Sequence, residues 1–155
     1  MTKRSYQVEL KGKKIAKAMA KNANVSLKFS LELIREIKGK RVDKAQAFLR
    51  RVKEQKEFLP LRVYKKKVAH RRGDARSFTK SGRYPVKVAE VWLSLLESVK
   101  ANADYAGLDA DNLIITHAFA SQGYRRYGYQ SQGRIGGKRR MKKSAHIEIA
   151  VREAA

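Results

Sequence analysis

The spacing of hydrophobic residues predicts two helices in the N-terminal part of the chain. Apolar positions recur every three or four residues after Ser26, which suits a helix N-cap, and Gly39 is the expected stop. Asp43 is expected to cap a second helix, and Pro60 ends this region. The positions expected to point inward are Leu27, Leu31, Ile34, Ala47, Phe48 and Val52.

A third helix has the clearest pattern in the sequence. It opens at Pro85, because proline suits a first helical turn, and Gly107 closes it. Trp92 could offer a stacking surface for a nucleobase, but its place on the apolar stripe predicts a core residue. The stripe consists of Val88, Trp92, Leu95, Leu96, Val99 and Ala103.

Two stretches with alternating apolar residues predict β-strands, Leu113–Ala120 and Ala145–Arg152. A short strand is also expected around Ile15–Lys21. Each strand with one apolar face must lie on a core that helices cover, so the predicted class is α+β with a small antiparallel sheet. The residues expected on the apolar faces are Leu113, Ile115, Phe119, Ile147, Ile149 and Val151.

The charge of the chain indicates the kind of partner it binds. Lys and Arg total 37 against 14 Asp and Glu, a formal net charge of +23. A compact particle with this excess repels itself, and nucleic acid relieves the repulsion while it releases condensed counterions. Hydrophobic residues make up 43% of the chain, which excludes a purely disordered basic tail. No apolar run approaches the about 20 residues needed to span a bilayer, so no membrane partner is expected.

The stretch from Leu61 to Arg83 is basic and lacks a sustained apolar period, and Asp74 is its single acid. We interpret it as an irregular segment that orders on RNA. A solvated surface loop is the alternative, although loops of this length are uncommon without a function. Its cations include Lys65, Lys66, Lys67, Arg71, Arg72, Arg76, Lys80 and Arg83.

The segment Ser121–Lys143, between the two strands, carries no acid and half of the ten glycines. If the flanking strands pair, it leaves the body as a hairpin that reaches roughly 30 Å. Its cations suit phosphate and its tyrosines offer stacking faces, so we interpret it as a hairpin that lies on RNA. A solvated loop is the alternative. The cations are Arg125, Arg126, Arg134, Lys138, Arg139, Arg140, Lys142 and Lys143, and the tyrosines are Tyr124, Tyr127 and Tyr129.

The remaining motifs argue against catalysis. The stretch Gly133–Lys138 is one residue too short for a phosphate-binding P-loop and lacks its Ser or Thr. The stretch also matches the GXXG clamp of KH domains, but that clamp joins two helices and this one lies between strands. His70, His117 and His146 have no zinc-ligand spacing, and the chain has no cysteine to assist them. His117 and His146 are expected to face each other across the sheet as ordinary strand residues. We therefore expect no catalytic residue, metal or cofactor.

The order of these features resembles that of a known family. It is carried by Arg35-Glu36-Ile37-Lys38-Gly39-Lys40, by Arg83-Tyr84-Pro85, by Leu96-Glu97-Ser98-Val99-Lys100-Ala101-Asn102-Ala103, and by the basic insert between strands. The chain resembles the family of universal large-subunit ribosomal protein number twenty-two in its archaeal and eukaryotic form. The resemblance implies a three-stranded sheet on about three helices with a long protruding β-hairpin, and it supplies the third strand as Ala16–Asn22.

The resemblance also implies a location and partners. The body would lie on the large ribosomal subunit in the cytoplasm, beside neighbouring ribosomal proteins, and the hairpin would cross ribosomal RNA and line the exit tunnel near the nascent polypeptide. The family's tip pattern corresponds to Gly133–Arg139, which it matches at Arg134 and Gly137. The implied tip residues are Arg134, Ile135, Gly136, Gly137 and Lys138.

We therefore expect one domain over residues 1–155, with 121–143 as the basic hairpin and 61–83 as the irregular basic segment. The expected function is a structural constituent of the large subunit, and the alternative is a free-standing basic RNA- or DNA-binding protein. The expected RNA contacts are Lys65, Lys66, Lys67, Arg71, Arg72, Arg76, Arg83, Arg125, Arg126, Arg134, Lys138, Arg139, Arg140, Lys142 and Lys143.

Overall fold

The computed structural model of the protein describes residues 6–8, 10, 12, 14–71, 79–132 and 135–154. The helices are α1 (Leu27–Ile37), α2 (Val42–Lys53) and α3 (Val86–Tyr105), and a 3-10 turn spans Ala110–Asn112. The strands are β1 (Ile15–Ala23), β2 (Leu59–Pro60), β3 (Gly82–Arg83), β4 (Leu113–Gln132) and β5 (Ile135–Glu153).

A three-stranded antiparallel sheet in the order β1-β5-β4 forms the centre of the fold. In β5, Arg152 lies opposite Ile15 of β1 and Ile114 of β4, so this last strand is the middle one. Helix α3 packs against β1 and α2, and α1 packs against β4. The predicted α+β class is confirmed, and so is the third strand that the family resemblance supplied.

The core lies between one face of the sheet and the helices. Ile147, Ile149 and Val151 are fully buried, as their alternation predicts, and Trp92 of α3 is fully buried in the same cluster. Trp92 is therefore a core residue and offers no stacking surface. Burial of each such side chain contributes about 1.5–3 kcal/mol, which makes this cluster the main source of stability.

One apolar position in β4 was predicted on the wrong face. The pairing register between β4 and β5 shifts between Ile115 and His117, so an extra residue enters β4 at Thr116. Such a bulge reverses the alternation that follows it. As a result Ala118 is buried in the core, whereas Phe119 is only partly buried and lies on the opposite face.

The first helix starts at its predicted cap, but the second does not. Ser26 is the N-cap of α1, although its side chain makes no capping hydrogen bond. Helix α2 has Arg41 as its N-cap, so Asp43 lies inside the first turn, where a carboxylate favours the helix dipole. Asp43 also accepts a hydrogen bond from Lys100 of α3 at 2.5 Å, which links the two helices.

The helix ends follow the prediction, but one inward position does not. Gly39 and Gly107 have φ values of 78° and 71°, the left-handed conformation that ends a helix and favours glycine. Ala47 is exposed, because it lies on the opposite side of α2 from the buried Ala45 and Leu49. Among the described helices, none is long and apolar enough to cross a membrane.

Candidate RNA-binding surface

Strands β4 and β5 stay paired beyond the point where β1 ends. The last pair between β1 and β5 is Ala23 with Ala145, whereas β4 and β5 remain paired, with two register shifts, to Gln132 and Ile135. The two-stranded part of each arm has about ten residues, which corresponds to a reach of about 30 Å. The segment between the predicted strands therefore forms the long hairpin that was expected.

The two faces of this hairpin differ in chemistry. Side chains alternate along a strand, so cross-strand partners share a face. One face, which we call the basic face, carries the pairs Arg126–Lys142, Gly128–Arg140 and Gln130–Lys138. The other, the aromatic face, carries the pairs Arg125–Lys143, Tyr127–Met141 and Tyr129–Arg139. The basic face thus collects four cations, and the aromatic face alternates cations with stacking surfaces.

The aromatic face presents its rings to the surroundings. Tyr127 and Tyr129 are 55% and 80% exposed, which is unusual for large rings unless a partner covers them. The guanidinium of Arg139 lies 3.5 Å from the centre of the Tyr127 ring, a cation–π contact. Stacked arginine and tyrosine planes suit unpaired bases, while the free edge of a guanidinium suits phosphate.

Asn22, which the sequence did not single out, anchors the base of the hairpin. Its Oδ1 accepts hydrogen bonds from the Tyr124 backbone N–H and the Ser144 hydroxyl, both at 3.3 Å. Its own backbone N–H donates to His146 Nδ1 at 3.1 Å. A Cβ at Gly123 would lie 2.6 Å from Ser144 Oγ and 2.8 Å from Asn22 Oδ1, so glycine lets the three strands close here. This junction sets the direction in which the hairpin leaves the body.

The second basic segment begins at a fixed point. Glu32 of α1 is 1% exposed, and its carboxylate accepts hydrogen bonds from the backbone N–H groups of Arg62, Val63 and Tyr64 at 2.5–3.2 Å. The Arg62 side chain donates to Glu36 at 2.7 Å. These two acids of α1 therefore determine where the three lysines that follow are placed.

The same segment ends in short strand pairing. Leu59 and Pro60 pair with Arg83 and Gly82, and an isolated bridge joins His70 to Ser81. Two-residue strands carry no periodicity, which is why the sequence indicated only an irregular stretch. The pairing fixes both ends of the basic segment on the body.

Most of the predicted RNA contacts are solvent-exposed in the described part of the chain. The exposed set is Lys65, Lys66, Lys67, Arg71, Arg125, Arg126, Lys138, Arg139, Arg140, Lys142 and Lys143. Arg83 is partly buried and donates to the Gly82 carbonyl at 2.8 Å. Arg72, Arg76 and Arg134 lie outside the described residues. Among the predicted tip residues, Ile135 is the first residue of β5. Gly137 and Lys138, which follow in the same strand, are exposed.

A cleft of about 670 Å³ brings the two predicted basic segments together. Lys65 of the first segment and Lys143 of the hairpin both line it, with Lys28 from the first turn of α1. Sequence reasoning missed Lys28. A lysine in a first turn is disfavoured by the helix dipole, and that local conflict is the signal that could have identified it.

The two strand histidines do not face each other. His146 lies opposite Ser121, and His117 lies opposite Ala150, so the two histidines occupy different positions along the sheet. His117 Nε2 lies 3.0 Å from Glu148 Oε1, and that buried carboxylate also accepts from the Gln7 backbone N–H. Within the described ranges, no group of three His, Asp or Glu side chains could hold a metal ion.

Comparisons with known proteins give a consistent result. A family model described as "Ribosomal protein L22p/L17e" matches residues 18–152. The chain is 40% identical over 157 residues to "Large ribosomal subunit protein uL22" of Methanoculleus marisnigri, covering 100% of both chains. It is 42% identical over 151 residues to the protein of that name from Hyperthermus butylicus, covering 96% of each. The corresponding Archaeoglobus fulgidus protein is 44% identical over 110 residues, 71% of this chain and 70% of the relative.

Proposed function

Because the chain belongs to the ribosomal protein L22p/L17e family, we propose that it is a structural constituent of the large ribosomal subunit that binds large-subunit RNA. The family is one of structural proteins, so the chain is not an enzyme. The resemblance noted in the sequence is thereby confirmed. The proposal goes further, because it assigns RNA contacts to particular side chains.

The basic face of the hairpin is the observation that carries this proposal. Arg126, Lys138, Arg140 and Lys142 project from one side of a ribbon, and no acid lies anywhere between Ser121 and Lys143. A lone two-stranded ribbon is marginally stable in water, and like charges on one face destabilise it further. Phosphate groups along that face remove the repulsion and supply the surface on which the ribbon lies.

The hairpin's reach supports a second role, at the polypeptide exit tunnel. Its paired arms reach about 30 Å beyond the end of β1, which is far enough to cross a layer of RNA and present side chains on its other side. We propose that the tip lines the tunnel and contacts the nascent polypeptide, while the body contacts neighbouring ribosomal proteins. This assignment follows the family's tip pattern and the length of the arms.

Cosedimentation tests the ribosomal assignment. A tagged chain expressed in its source cells should be near-stoichiometric in large subunits and should remain there through a high-salt wash. A free-standing nucleic-acid-binding protein, which the net charge of +23 also allows, would be removed by the wash and spread over other fractions. Recovery away from large subunits would refute the proposal.

Site-specific crosslinking tests the tunnel assignment. A photoreactive amino acid at Lys138, which is exposed beside the tip, should crosslink to the nascent chain on stalled ribosomes. The same amino acid at Lys44, exposed on α2, should give no nascent-chain product. Equal yields at the two positions, or none at Lys138, would contradict tunnel lining without affecting the RNA-binding proposal.

A further inference from the structure

The cleft between helix α1 and the base of the hairpin has the chemistry of a nucleotide site. Its volume of about 670 Å³ lies within the range of roughly 300–1,000 Å³ that small-molecule sites occupy. Its lining combines three lysines with apolar and neutral polar groups and contains no carboxylate. The lining side chains used below are Lys28, Lys65, Lys143, Leu27, Met141 and Gln122.

Lys65 is held at this cleft by an uncommon backbone conformation. Its φ is 58°, a left-handed value that costs free energy for a residue with a Cβ and that concentrates at ligand-binding positions. Its carbonyl accepts a hydrogen bond from the Val68 backbone N–H at 3.2 Å, and its ammonium lies 4.6 Å from the centre of the Phe29 ring. The turn and the aromatic ring keep the charge beside the cleft in the absence of a ligand.

The shape and the lining exclude a double helix as the occupant. An RNA duplex is recognised along its outside by shape and backbone contacts, and it is too wide for a cleft of this volume. An unpaired nucleotide fits, because it joins a phosphate to a flat base with a hydrogen-bonding edge. Met141 is 40% exposed and, being unbranched and polarisable, adapts to the face of a ring, while Gln122 offers a donor and an acceptor.

We propose that this cleft binds one unpaired nucleotide of ribosomal RNA, with its phosphate among Lys28, Lys65 and Lys143 and its base against Met141. The inference rests on the proposed RNA-binding function and deepens it, because it assigns a single-stranded, bulged or looped target to the site where the base of the hairpin meets α1. It also makes the body and the hairpin hold the same nucleotide. Lys65 and Lys143, 78 positions apart in the chain, then act as one clamp.

Chemical probing of the RNA tests this proposal. The full-length protein is bound to large-subunit ribosomal RNA, which is probed with a reagent for flexible 2′-hydroxyls and with dimethyl sulfate for base edges. In the complex with the unaltered protein, one unpaired nucleotide should be protected at both sugar and base. Lys65→Gln and Lys143→Gln should each restore both reactivities there, and Met141→Ala should restore the base reactivity alone. Protections made by the basic face of the hairpin should persist in all three variants.

Affinity measurements add a test of the clamp itself. For two lysines that hold one ligand, the loss in the double variant should be smaller than the product of the two single losses. Each single variant should lower the slope of log affinity against log salt by up to about 0.7. The matched control is Lys44→Gln with Lys87→Gln, two exposed lysines on α2 and α3, which should change neither quantity.

The outcomes of the probing and affinity experiments distinguish the cleft proposal from its alternatives. Independent losses from Lys65 and Lys143, or unchanged protection in their variants, would overturn the cleft assignment and leave the hairpin proposal standing. Loss of protection with the lysine variants but none with Met141→Ala would show that only backbone phosphate enters, which also overturns a nucleotide site. An unaltered protein that protects no large-subunit RNA would instead overturn the proposed function as a whole.

Discussion

Neutralising the basic face of the hairpin is the most direct test of how this protein holds RNA. The variant replaces Arg126, Lys138, Arg140 and Lys142 with glutamine, which keeps each side chain long and polar and reduces the net charge from +23 to +19. All four residues are exposed and lie on one side of the ribbon. The free energy of unfolding should therefore change by less than about 0.5 kcal/mol per position, whereas RNA affinity should fall steeply.

The size of the effect follows from counterion release. Each phosphate contact contributes about 0.7 to 0.9 to the slope of log affinity against log salt, so four lost contacts lower that slope by about three. Between 50 and 200 mM salt, the unaltered protein should lose about 60-fold more affinity than the variant. A change of this size is readily measured by filter binding or fluorescence anisotropy over a series of salt concentrations.

A matched control separates the hairpin from net charge. The control replaces four exposed residues of the three helices with glutamine: Arg35, Lys44, Arg50 and Lys87. Like the hairpin variant, it removes two arginines and two lysines. The control should keep nearly the full salt dependence, because its charges lie away from the ribbon. If both variants lowered the slope equally, binding would depend on net charge alone and the argument from the basic face would be refuted.

Three further predictions concern the fold. Deleting Tyr124–Lys143 should leave a cooperatively folding body with part of its RNA affinity, since none of the described residues of this segment belongs to the core. Thermal unfolding and RNA binding measure the two effects, and global unfolding would contradict this division. Gly82→Ala places a Cβ 2.1 Å from the buried Phe58 ring and should cost about 1–3 kcal/mol of stability, whereas Gly128→Ala, which meets only a flexible lysine side chain, should be nearly neutral. Glu32→Ala removes the acceptor of three backbone N–H groups and should lower the free energy of unfolding by about 1–3 kcal/mol. Amide hydrogen exchange in that turn should become faster, and unchanged exchange would refute the anchoring role.

The sequence was most informative where a single period runs without interruption. Helix α3 was placed between Pro85 and Gly107 because its stripe repeats for five turns, and glycine marks its end by a conformation that other residues avoid. The inward face of β5 followed from the alternation of Ile147, Ile149 and Val151. These signals are local, since each depends on backbone geometry within a few residues.

The pattern was misleading where tertiary pairing adds or shifts a residue. The extra residue at Thr116 changes the face of Phe119, yet nothing in the local sequence marks it. A bulge is defined by the pairing of two strands, since it places two residues of β4 opposite one residue of β5. A single strand therefore carries no sign of it. Asn22 likewise becomes an anchor only because three strands meet beside it.

The candidate site shows the same division. Composition and the absence of acids between Ser121 and Lys143 already predicted a basic arm with an anionic partner, because charge and hydropathy are properties of the residues themselves. The two chemically different faces of that arm needed the cross-strand register, and the cleft that joins Lys28, Lys65 and Lys143 needed the packing of α1 against β4. The sequence determined which partner the charges require, and the tertiary structure alone decided which distant charges act on it together, since only folding brings them into one place.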